Sequence, residues 1–345
     1  MLSFNSDYFE GAHPKILERL VQTNKLKTPG YGTDDICESA REKIRAACEA
    51  PDAEIHFLSG GTQTNAAVIK YLLKPYQGVI TAQTGHIVWH EAGAIEQGGH
   101  KLFCVPENNG KLSAEDVEKT AKTYYDDDFN AHMVMPGMVY ISQPTESGTL
   151  YSLQELENIA AVCRKYNMYL YLDGARLAYA LACPSNDVTL PDLARLCDAF
   201  YIGGTKCGCL FGEAVVFPKA GLIPHFFTLV KQHGALLAKG RVLGIQFGTL
   251  FTDELYFAVG RSAVTFADII RKKLQEKGLE LCYNSPTNQI FVRLTDEMRG
   301  KLEEQVNITF WEKPDETHTV VRLATSWATT QEDVEKLLAV LDNLQ

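Results

Sequence analysis

Between residues 54 and 217 short apolar runs of strand character alternate with helical stretches, and this alternation restricts the chain to an α/β fold. The runs are Glu54–Leu58, Val79–Ala82, Lys101–Val105, Met138–Gln143, Met168–Leu172, Ala199–Ile202 and Glu213–Phe217. Six of them are apolar in the way that strands buried on both faces of a mainly parallel sheet are. Ser152 and Glu155 form an S-x-x-E capping box and open the clearest helix, Ser152–Tyr166. The last two strands are joined by GGTKCGCLFG, too short for a crossover helix, so the seventh should run antiparallel and Lys206 should lie in a turn.

Beyond residue 220 longer helical stretches dominate, followed by the strand-like NQIFVRL and TVVRLAT and the helical QEDVEKLLAVLDNL. This pattern predicts a large domain over residues 1–250 and a smaller C-terminal α+β domain over 251–345, with one long helix able to bridge the boundary. The 345 residues, 46% of them apolar, suffice for a sizeable core.

A formal charge of −10 without a basic block argues against nucleic acid and anionic membrane as partners, and leaves a small molecule. The start, MLSFNSDYFEGAHP, has no signal-peptide character and no apolar run reaches membrane-spanning length, so the cytoplasm is the expected compartment. Nine scattered cysteines read as reduced thiols, and Cys207-x-Cys209 lacks a second pair at zinc spacing, so no metal is expected.

Three segments carry chemistry. In LSGGTQTN, residues 58–65, a strand ends in a Gly-Gly turn and a helix starts at Thr62; free N–H groups and the helix dipole there can cradle a phosphate, although an ordinary strand-to-helix turn looks the same. In MYLYLDGARLAYA, an apolar strand ends in Asp173, aimed at the crevice where α/β sheets bind ligands; a helix cap is the plainer alternative. In AFYIGGTKCG, Lys206 follows a buried strand, where a low-dielectric setting lowers an amine's pKa and suits it to attack a carbonyl, whereas most turn lysines are simply solvated. Together they offer a phosphate cradle, a carboxylate and an amine, which answer one for one to the phosphate, pyridine nitrogen and aldehyde of pyridoxal phosphate.

With SGGTQTN, GHIVWHEAGA, LDGARLA and GGTKCG in this order, between FNSDYFEGAHP and VVRLATSWAT, the chain resembles the threonine aldolase branch of the fold type I pyridoxal-phosphate enzymes, the β-eliminating lyases. That resemblance implies an aspartate-aminotransferase-like fold with a seven-stranded sheet, and pyridoxal 5'-phosphate held by Lys206 as an imine. By the same resemblance Asp173 lies under the ring nitrogen and His86 stacks on the ring. Gly61, Thr62 and Thr205 would meet the phosphate, and Ser6, Arg176 and Arg322 the substrate carboxylate. It also implies a homodimer or homotetramer with shared active sites, in which Lys239 or Arg241 would reach a neighbour's phosphate. The implied reaction cleaves a β-hydroxy-α-amino acid such as L-threonine, L-allo-threonine or a phenylserine to glycine and an aldehyde; β-elimination, transamination and a non-catalytic binding module are the alternatives. The chain departs from the family pattern at Ser142-Gln143-Pro144-Thr145-Glu146, where many relatives read E-N-T-H-N. Thr145 takes the place of the histidine that would meet the substrate hydroxyl. His90, Glu146 or a water held by His86 remain as candidates for the base.

Overall fold

The computed structural model describes residues 1–344. Its large sheet has seven strands: β1 (Glu54–Leu58), β2 (Gln77–Ala82), β3 (Leu102–Val105), β4 (Met135–Ser142), β5 (Tyr169–Asp173), β6 (Ala199–Gly203) and β7 (Glu213–Phe217). They lie in the order β1-β7-β6-β5-β4-β2-β3. β7 is antiparallel to both β1 and β6 and the remaining pairs are parallel, as the short connection between β6 and β7 requires. Six strands therefore end at one edge. β4 starts three residues before the expected Met138, because Met135 and Pro136 pair with Gln77 and Gly78 of β2 ahead of a register shift at Gly78/Val79.

Alternation along the strands divides the sheet's two faces. Leu170, Leu172, Phe200 and Ile202 enter one core, while Tyr140, Tyr171 and Tyr201 enter the other. Asp173 continues the second series, so it lies on the tyrosine face at the strand's carboxyl end. The capping box forms as read: Ser152 Oγ accepts from Glu155 N at 3.3 Å and Glu155 Oε2 accepts from Ser152 N at 2.8 Å, starting the helix Leu153–Lys165.

A second sheet of four antiparallel strands combines β8 (Glu280–Leu281), β9 (Gln289–Thr295), β10 (Thr309–Glu312) and β11 (His318–Ala324) in the order β10-β11-β9-β8. The helix Leu255–Glu276 joins the two units: Tyr256, Val259, Ala263 and Val264 pack into the large core, Ala267, Ile270 and Leu274 into the small one. Leu2–Ser3 pairs with Val306–Asn307, and Phe4 is buried in the small core, so the first residues pack with the C-terminal unit. From there the chain runs back over the edge where the large strands end. Among the described residues no helix is long and apolar enough to cross a membrane.

Candidate active site

Three chain segments more than 100 positions apart at their extremes meet at that edge. The helix Gly61–Leu72 begins directly after β1, and Gly60 supplies no side-chain cap, so its first-turn N–H groups face the cavity without a side-chain partner from the cap. A Cβ on Gly61 would stand 3.2 Å from the Tyr201 hydroxyl, which explains a residue without a side chain at this point. Asp173 closes β5, and Lys206 lies in the turn after β6, as the connection length predicted. All of these line one cavity of about 330 Å³, with His86 on its wall. A wider hollow of about 600 Å³ continues outward past Tyr8, Phe310, Trp311 and Arg322. A larger surface hollow of about 640 Å³ among the helices Pro14–Thr23, Asp35–Ala47 and Arg241–Leu250 holds none of these groups.

Asp173 is 4% exposed and would be driven toward its neutral form by burial, yet it is held below the ordinary carboxylate range. The compensating causes are the nearby His86 ring and hydrogen bonds from the hydroxyls of Tyr140, at 2.6 Å, and Tyr201, with Ala175 N–H at 2.9 Å. Asn65 Nδ2 donates to the same carboxylate at 3.1 Å and to Glu91 at 2.7 Å, while Tyr171 Oη donates to Asn65 Oδ1 at 2.8 Å. Glu91 in turn meets His86 Nδ1 at 2.7 Å. A carboxylate at Nδ1 requires the proton there, which fixes the tautomer and the ring's orientation.

Burial pushes the Lys206 amine down from its ordinary value, with the Arg176 guanidinium acting in the same sense. The turn that carries it is held by Glu213, 2% exposed, whose two oxygens accept from Gly204 N at 2.9 Å and Thr205 Oγ1 at 2.7 Å. Burial raises the Glu213 acid to about 7. Thr205 lines the cavity, but its hydroxyl is engaged with Glu213 and with Gly212 N at 2.9 Å.

Arg176 lines both hollows and makes a two-point ion pair with the buried Asp7, Nε to Oδ2 at 2.6 Å and Nη2 to Oδ1 at 3.0 Å. Arg322 lines the outer hollow with no carboxylate at ion-pair distance among the described residues; its hydrogen bonds go to Gln289 Oε1 and the Asn5 carbonyl, both at 3.1 Å. Burial, with Arg176 nearby, lowers it to about 10, which marks a cation short of counter-charge.

Four other expected residues are placed differently. Ser6 is buried off the cavity wall with an unpartnered hydroxyl. Thr145 lines the wall, but its Oγ1 is bonded to Thr149 Oγ1 at 2.7 Å. Lys239 is exposed and Arg241 donates to the carbonyls of Leu26 and Asn24; neither lines the cavity of its own chain. Sequence reading did not single out Asp7, Asn65, Glu91, Tyr140, Tyr201 or Glu213. The available signals were an acid inside FNSDYFEGAHP, a lone carboxylate opening the apolar strand EAVVF, and tyrosines in phase with Asp173.

The lysine and the aspartate at the carboxyl edge of this mainly parallel sheet, beside an uncapped helix start, sit in an α/β chain of the aspartate-aminotransferase-like fold. An aspartate aminotransferase from Thermus thermophilus superposes with a TM-score of 0.73 at 14% identity over 100% of this chain and 92% of that one. Within that class the chain belongs to the β-eliminating lyase family, whose model matches residues 3–308. It is similar to a threonine aldolase from Leishmania major, 44% identical with a TM-score of 0.96 over 100% of this chain and 99% of that one. It is also similar to a low specificity L-threonine aldolase of Pseudomonas aeruginosa, 28% identical over 85% of this chain and 84% of the relative.

Proposed function

We propose that the protein is a pyridoxal-phosphate-dependent aldolase that cleaves a β-hydroxy-α-amino acid of the threonine type to glycine and an aldehyde. The observation that carries this reading is the meeting of Lys206, Asp173 and the Gly60–Thr62 helix start in one cavity, with two arginines at its mouth. The residues fit the cofactor. A phosphate needs close backbone approach, which Gly61 allows; a pyridinium needs an ionised partner, which Asp173 is; an aldehyde needs a desolvated amine, which Lys206 offers. When bound, the cofactor supplies the ring that accepts the electron pair of the breaking Cα–Cβ bond.

The chain's own groups do the rest. Asp173, held ionised by its tyrosines, would pair with the protonated ring nitrogen, and His86, fixed by Glu91, would hold the ring from the cavity wall. Arg322 would bind the substrate carboxylate, with Arg176, oriented by Asp7, beside it, and together they would orient the bonds at Cα. The Leishmania major structure and the Pseudomonas aeruginosa relative, both named as threonine aldolases, favour cleavage over elimination. Lys239 and Arg241, off their own cavity, fit a role toward a partner's site in a homo-oligomer, and the nine free cysteines fit a reducing compartment such as the cytoplasm.

The test is direct. Purified protein mixed with pyridoxal phosphate should gain visible absorbance that Lys206→Ala abolishes, and should release glycine and acetaldehyde from L-threonine. Release of 2-oxobutanoate and ammonia instead would assign β-elimination.

A further inference from the structure

Cleavage of a β-hydroxy amino acid needs a group that takes the hydroxyl proton, and Thr145 and Glu146 both line the lysine-bearing cavity. The Thr145 hydroxyl cannot serve: it is tied to Thr149 Oγ1 at 2.7 Å and accepts from Thr149 N at 3.2 Å, and the residue is 1% exposed. The next residue is built differently. Glu146 Oε1 accepts from Ser142 Oγ and from the His86 backbone N–H, each at 2.8 Å, which clamps the carboxylate just beyond the end of β4. Its other oxygen takes no hydrogen bond from another residue, and the side chain lines both the lysine-bearing cavity and the outer hollow.

Six residues are common to both hollows, and they bracket the position that a substrate held at Lys206 and Arg322 must occupy. Arg176 is paired with Asp7, the His86 ring is bonded to Glu91, and Lys206 has the aldehyde to hold. Tyr8 and His90 are exposed. Glu146 is the single carboxylate of the set, and one of its oxygens accepts no hydrogen bond from another residue.

Resting on the aldolase reading, we propose that Glu146 is the base of the cleavage, its carboxylate taking the proton of the substrate's β-hydroxyl. The O–H electron pair becomes the second carbon–oxygen bond of the aldehyde. The Cα–Cβ bond breaks with its pair left on Cα, where the cofactor when bound would stabilise it, and a proton returned to Cα completes glycine, so no oxidant or reductant is needed. Burial holds the Glu146 acid above its ordinary range, with Asp173 adding to the rise and Ser142 and His86 opposing it; Arg176 also stands near. A carboxylate raised in this way is a better proton acceptor than a solvated one.

The test uses the holoenzyme and Glu146→Gln, which keeps a carbonyl oxygen for Ser142 and His86. General-base loss predicts a fall in aldehyde release from L-threonine of about 100-fold or more. Affinity for glycine, which has no β-hydroxyl, should stay within about threefold in a titration of the cofactor's visible absorbance, as should exchange of the glycine Cα proton with D2O. Glu146→Asp should recover part of the rate, since it restores a carboxylate at shorter reach. Threonine cleavage by Glu146→Gln within threefold of wild type, or equal loss of glycine binding and cleavage, overturns the assignment. Wild-type protein that binds glycine yet releases no aldehyde from L-threonine overturns the aldolase reading beneath it.

Discussion

Replacing Asp7 by asparagine should destabilise the fold measurably and in a pH-dependent way. Asp7 is fully buried between the Arg176 guanidinium and Asn288, whose Nδ2 donates to it at 2.9 Å. Burial by itself would raise its pKa, but Arg176 and Lys206 outweigh that and hold the acid near 2 against an ordinary 3.8. A shift of this size corresponds to about 2.5 kcal/mol of folding stability. Because the folded value is depressed, the contribution is fully present above pH 4 and is lost as pH falls toward 2. Asp7→Asn removes that contribution and leaves the Arg176 cation buried without its counter-charge, for a loss of roughly 3–5 kcal/mol at pH 7. Urea unfolding of both proteins at several pH values between 7 and 2.5 measures it. The gap should be constant above pH 5 and should narrow below pH 4, as wild-type Asp7 takes up its proton. A gap under about 1 kcal/mol at neutral pH, or one that does not narrow in acid, would refute the view that this ion pair ties the N-terminal segment to the site.

Glu213→Gln should change the pH dependence of stability in the opposite sense: the wild-type acid is raised from 4.5 to about 7, so its contribution is present below pH 4.5 and lost as pH rises through 7. Unfolding curves across that window should show the variant gaining on wild type, and parallel curves would count against it. Gly260→Ala should cost about 1–3 kcal/mol in chemical denaturation, because its Cβ would lie 2.1 Å from the Ala178 carbonyl and would push the bridging helix off the helix Leu177–Ala182. Arg322→Ala should weaken binding of amino acids roughly 10- to 100-fold while leaving the binding of an amine without a carboxylate unchanged. Equal loss for both ligands would remove Arg322 from carboxylate recognition.

Much of the architecture was legible because it depends on neighbours in the chain. The seven strands, the antiparallel seventh, the Ser152 capping box and the placement of Lys206 in a turn follow from side-chain period, connection length and local hydrogen bonding. β4 was read three residues short because proline and glycine lower strand character locally, while pairing with β2 overrides it. The grouping of Lys206, Asp173, Gly61 and His86 could be anticipated, since residues at the carboxyl ends of parallel strands share one edge.

The remainder belongs to the tertiary structure. Asp7 and Arg176 are separated by 169 positions, Asn65 and Asp173 by 108, and no period links them. Tyr140 and Tyr201 looked like ordinary core residues; strand register sets their hydroxyls against Asp173 and gives it the donors that keep it charged. Thr145 and Glu146 are adjacent in the chain, yet Thr149 turns one hydroxyl away while Ser142 and His86 hold the other residue's carboxylate at the cavity. Sequence by itself determined which elements form and at which edge chemistry can gather, because period and chain length act locally. Which polar group is ionised, satisfied or left free was decided only by packing, since burial and a partner's charge come from segments that the chain brings together after it folds.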